Sequence, residues 1–111
     1  MMNHSIPALR QLRKALIQRI KHADFAIVRG SLIERYKRCG NPNCKCADGK
    51  GHGPKYYLSV SQPGNRPEMD YVPQDLQADV AVYLANLQSL RQLLEELCEV
   101  NRELLRQRET L

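Results

Sequence analysis

The sequence predicts an α+β fold: an N-terminal helix, a three-stranded antiparallel meander with a cysteine-rich loop between strands 1 and 2, and a long C-terminal helix with coiled-coil character. Three observations predict it. Apolar residues recur at helical spacing near the start, alternate with polar ones through the middle, and return every four and three residues in the last third. At 111 residues the chain reads as a single domain, 1–111, with room for only a modest core.

Residues 5–22 form the first element. Ile6, Leu9, Leu12, Leu16, Ile17 and Ile20 share one helical face, with Arg10, Arg13, Lys14, Arg19 and Lys21 between them. Ser5 is a capping residue and Pro7 suits the first turn. A basic amphipathic helix results, and in a short chain its apolar stripe is expected to pack on the rest of the domain rather than lie on a membrane.

From Ile27 the period becomes two. Val28, Leu32 and Tyr36 fall on one face, and Arg29, Ser31, Ile33, Arg35 and Lys37 on the other, so the first strand carries a cationic face; Gly30 weakens it and suggests a bulge. Lys55 to Ser61 alternates again. The run Pro63 to Pro67 is a turn leading to a short third strand at about Glu68 to Val72, which completes a sheet region over 27–72.

Between the first two strands lies the densest chemistry of the chain. Cys39, Cys44, Cys46 and His52 fall within 14 residues, among Gly, Pro, Asn, Lys and Asp, where no apolar core can form. Three thiolates and an imidazole are the four soft or borderline ligands of a closed tetrahedral zinc site, which is structural because it keeps no open position. Asp48 and Cys98 are the other candidates for the fourth ligand. The spacing is not that of paired C-x2-C motifs, and exposed reduced thiols or a labile disulfide are the alternative to Zn2+. Clustered cysteines in a reducing compartment favour the metal.

Pro73 ends the sheet, and residues 74–109 contain neither Gly nor Pro, so one helix of roughly 50 Å is expected. Leu76, Val80, Tyr83, Leu87, Leu90, Leu94, Leu97, Asn101 and Leu104 follow the heptad alternation of a coiled coil. Leu84, Leu93, Val100 and Leu105 broaden this stripe, so the helix is expected to meet more than one surface. The N-terminal helix is one, and a second copy of the chain, in a homo-oligomer through residues 76–105, is the other. Asn101 at a core position either sets register or is solvated where the helix frays. Cys98, at the stripe's margin, is expected to be a buried thiol.

Charge is divided along the chain. Residues 1–55 hold 12 Lys and Arg against 3 Asp and Glu, whereas residues 56–111 hold 5 against 9. A basic half that contains the cysteine loop points to a polyanionic partner, nucleic acid of either kind. Arg29, Arg35, Lys37, Arg38, Lys45, Lys50 and Lys55 are the candidate phosphate contacts. Tyr36, Tyr56 and Tyr57 are either stacking groups or packing between sheet and helices.

Other classes find less support. No G-x-S-x-G, Walker loop, dinucleotide fingerprint or H-E-x-x-H occurs, and His4, His22 and His52 lack a paired acid, so no enzyme is expected. Lys45 between Cys44 and Cys46 leaves a thiol redox role as the enzymatic alternative. An interaction adaptor, with a protein partner on the long helix and a purely structural metal clip, is the second reading. With no apolar run of about 18 residues and no cleavable leader pattern, a cytoplasmic protein without a membrane partner is expected.

The run Arg29-Gly30-Ser31-Leu32-Ile33-Glu34-Arg35-Tyr36, then Cys39-Gly40, Cys44-Lys45-Cys46, His52-Gly53-Pro54-Lys55-Tyr56-Tyr57-Leu58 and Tyr71-Val72-Pro73, resembles a family of short uncharacterised prokaryotic proteins sometimes met near transposase genes. The resemblance covers about residues 27 to 105. It implies a cysteine hairpin plus long helix and a link to a mobile element, and it carries over no catalytic residues.

Overall fold

A computed structural model describes residues 4–37 and 52–111, with only the backbone described at Lys37, His52 and Gly53. The order of elements is helix α1 (Ile6–Lys21), strands β1 (Ser31–Lys37), β2 (His52–Gln62) and β3 (Asn65–Val72), a 3-10 turn over Gln74–Leu76, and helix α2 (Gln77–Arg106). The α+β class is therefore as the sequence predicts. Two compact units divide the chain: residues 1–26 with 86–111, and residues 27–85.

The first unit is a helical pair. Ser5, in an extended conformation, caps α1 by accepting from the Ala8 amide, and Pro7 occupies the first turn, where its missing N–H costs no hydrogen bond. Leu9, Leu16, Val100 and Leu104 form the buried core, with Ile6, Leu93 and Leu97 packed on it. Hydrogen bonds fix an antiparallel register. At one end Arg10 donates to the Thr110 carbonyl at 2.7 Å and Gln107 to the His4 carbonyl at 3.1 Å; further along, Arg13 Nε donates to Asn101 Oδ1 at 3.0 Å. Asn101 is thus half-buried and paired within the chain rather than frayed, since α2 runs on to Arg106.

The C-terminus of α2 is closed by a six-to-one bond from the Glu109 amide to the Leu104 carbonyl at 2.9 Å, and by one from the Arg108 amide to the Leu105 carbonyl at 3.0 Å. Arg108, at φ 66, takes the left-handed position more often filled by glycine. Both bonds satisfy carbonyls that the end of a helix would otherwise orphan. Just before this cap, Arg106 and Gln107 both hydrogen-bond the Glu103 carboxylate and hold it below the usual carboxylate range.

Not all of the α2 stripe is covered in this pairing. Leu90, Leu93, Leu97, Val100 and Leu104 face inward, whereas Leu94 and Leu105 stay exposed. The expectation of a buried Cys98 thiol is corrected: Cys98 is exposed, because it lies one position beyond Leu97 and turns off the packed face.

The second unit is built on the meander, with sheet order β1-β2-β3 and both pairs antiparallel. Strand β1 starts at Ser31 and not near Ile27. The Val28 amide is committed to the Tyr83 carbonyl at 3.4 Å, and Gly30 at φ 137 breaks the alternation. A Cβ on Gly30 would lie 2.7 Å from the Ser59 carbonyl oxygen, so only glycine lets β1 approach β2 there. Pro63 and Gly64, the latter at φ 71, form the β2–β3 turn, with a register shift just before it between Val60 and Gln62. Proline at position 67 is tolerated because β3 is an edge strand. Leu58 and Val72 are buried on one face of this sheet.

Candidate functional site

Strand pairing decides which residues share a face, because cross-strand partners project together and neighbours along a strand project apart. Ser31 pairs with Ser59, Ile33 with Tyr57 and Arg35 with Lys55; Tyr57 pairs in turn with Tyr71, and Ser59 with Met69. All of these therefore lie on one face. The other face carries Leu32, Glu34, Tyr56, Leu58, Val60, Glu68, Asp70 and Val72, and it holds the buried pair Leu58 and Val72. The first face is open: Tyr71 is 57% exposed, and Arg35 and Lys55 are exposed as well.

Charge is segregated between the faces. The carboxylates of the three strands, Glu34, Glu68 and Asp70, all fall on the face of Leu58 and Val72, and none falls on that of Arg35 and Lys55. Arg35 and Lys55 stand directly opposite each other, and like charges in that position destabilise a sheet. Among the described residues neither has an ion-pair partner. A cavity of about 400 Å³ opens beside them, lined among the described residues by Arg35, Tyr36, Lys55, Tyr57 and Met69. Tyr57 and Tyr71 meet edge to face, with ring centroids 5.8 Å apart and planes at 68°.

The predicted site residues part company here. Arg35 and Lys55 come together. Arg29 is exposed, but its guanidinium is engaged by Ser61, donating to the carbonyl at 3.0 Å and facing the hydroxyl at 3.4 Å. Of the three tyrosines, Tyr57 lies on the cationic face and Tyr56 on the opposite one. Tyr36 donates its hydroxyl to Glu34 at 2.6 Å, and this bond to the carboxylate raises its pKa above the ordinary phenol value. Tyr71 and Met69 were not among the predicted residues. Their signal was the alternation of Met69 and Tyr71 on β3, which gains meaning only once β3 is paired with β2.

Cys39, Cys44, Cys46, Asp48, Arg38, Lys45 and Lys50 lie outside the described residues, as do the side chains of Lys37 and His52. The ladder between β1 and β2 ends on the pair Lys37 and His52, so the two ends of segment 38–51 are cross-strand neighbours. Among the described residues there is no group of three or more His, Cys, Asp or Glu able to hold a metal, and no helix long and apolar enough to cross a membrane.

No curated protein and no solved structure matches the chain. A family model described as "Domain of unknown function (DUF6788)" matches residues 6–82, and the chain belongs to that family.

Proposed function

We propose that the protein is a small, non-enzymatic nucleic-acid-binding module that works through the cationic face of its sheet. In this reading a zinc ion on Cys39, Cys44, Cys46 and His52 ties off the β1–β2 connection, and the chain assembles with a second copy through α2. The observation that carries it is the exposed, like-charged pair Arg35 and Lys55, set on a face to which the described strands bring no carboxylate, beside Tyr57 and Tyr71. Such a pair opposes folding slightly and is relieved by an anion, and a polyanion with aromatic bases matches both kinds of side chain. The resemblance to proteins met near transposase genes associates this activity with a mobile element.

The direct experiment is titration of the wild-type protein against random-sequence DNA and RNA over a salt series. Two phosphate contacts alone give a log-log slope of about −1.4 on single strands, at about 0.7 per phosphate, and further cations steepen it. Binding absent even at low salt would remove this reading. The adaptor would then lead, favoured by the exposed Leu94 and Leu105 of the C-terminal stripe. These same side chains are the surface a second copy would cover.

The zinc component has its own test. Protein purified without added metal is expected to carry about one zinc per chain, to melt at lower temperature in chelator, and to lose the ion when Cys44 or Cys46 is replaced by Ser. The reason is that metal-binding energy in a small domain is folding energy. A metal-free protein whose melt ignores chelator would contradict it.

A further inference from the structure

We infer that the cavity beside Arg35 and Lys55 receives one unpaired nucleotide, so that the ligand of the sheet face is single-stranded nucleic acid and not a duplex. This rests on the nucleic-acid reading above and makes it specific.

The cavity has the size of a small-molecule site. At about 400 Å³ it lies toward the small end of the roughly 300–1,000 Å³ typical of such sites, a size that suits one nucleotide. Its lining side chains are of two kinds. Arg35 and Lys55 answer a phosphate, but Tyr57 and Met69 offer apolar surface that a duplex, with its base faces stacked inside, leaves idle. An unstacked base presents the face that these side chains fit.

Cation and rings are also ordered along the sheet. Tyr57 lies two residues from Lys55 along β2, about 7 Å at the rise of an extended strand, so cation and ring are separated along one line in the sense that a phosphate is from its own base. Tyr71, next across the sheet and 57% exposed, is placed for the neighbouring base. Its edge-to-face contact with Tyr57 keeps the two rings from stacking on each other and leaves ring surface for a ligand. The described lining of the cavity comes from the three strands alone. The apparatus is a stacking platform with a cationic margin.

The experiment measures binding of the full chain, by fluorescence anisotropy at fixed low salt, to a labelled mixed-sequence 20-nucleotide strand and to the same strand annealed to its complement. The single strand is expected to bind at least about tenfold more tightly. Tyr57→Leu and Tyr71→Leu should each weaken single-strand binding by roughly 5- to 150-fold, the contribution of one stacked base, while Tyr57→Phe and Tyr71→Phe retain it. The Phe variants keep the fold as well as the ring, so their behaviour is decisive even if a Leu variant unfolds. Loss of binding in Tyr57→Phe and Tyr71→Phe with an unchanged melt would overturn the stacking role. Duplex bound as tightly as single strand, with the Leu variants folded and unaffected, would overturn the single-strand inference and leave the broader reading standing. Absence of binding to either form would overturn both.

Discussion

Leu104→Ala is expected to lower the stability of the helical pair by about 2–5 kcal/mol, the range for removing a buried leucine and leaving a cavity behind. Leu104 is wholly buried, and its neighbours in the core are Leu9, also wholly buried, with Leu16 and Val100. The site cannot easily collapse. The Glu109 and Arg108 amide bonds hold the backbone of α2 just beyond it, and Arg10 ties α1 to the Thr110 carbonyl. Chemical denaturation with an unchanged slope should show the loss as a lower midpoint. A change below about 0.5 kcal/mol, the usual range for surface positions, would mean that α1 does not pack on this face. Leu94→Ala is the companion measurement: Leu94 is 44% exposed within one chain, so in a lone chain the change should cost little, whereas a second copy seated on α2 would raise the cost. A loss at Leu94 as large as at Leu104 would itself show that another surface covers it.

The helices were the most legible part of the chain. Apolar spacing located both within a few residues, and the breadth of the α2 stripe was readable as more than one α1 could cover. What the spacing could not show was the division of that stripe. Leu97 and Leu104 turn inward and Leu94 does not, because the crossing of two helices, not the heptad count, selects the covered side. For the same reason the Cys98 thiol is exposed, and Asn101 is satisfied by Arg13 from across the pair.

In the sheet, alternation gave the faces of β1 from Ser31 to Arg35 but neither its start nor the register shift between Arg35 and Lys37, which brings Tyr36 to the cavity beside Arg35. The role of Gly30 depends on how closely Ser59 approaches, which is a property of pairing. The candidate site was half-legible for a related reason. Arg35 and Lys55 were each visible as basic residues, yet their direct opposition follows from register, and register places Tyr71 and Met69 beside them while sending Tyr56 to the other side. Cysteine spacing alone speaks for the metal, since segment 38–51 lies outside the described residues.

If the face bearing Arg35 and Lys55 binds nucleic acid, the double variant Arg35→Ala/Lys55→Ala should lose affinity without losing its fold. Both side chains are exposed and repel each other, so their removal is expected to leave the melt unchanged or slightly raised. Binding should weaken on every sequence alike, because phosphate contacts carry no sequence information. Without these two cations on the phosphates, the log-log salt slope should become shallower by about 1.4 on single strands and about 1.8 on duplex. That shift in a folded protein is the expected result; a folded double variant with wild-type affinity and an unchanged slope would mean that this face does not hold nucleic acid.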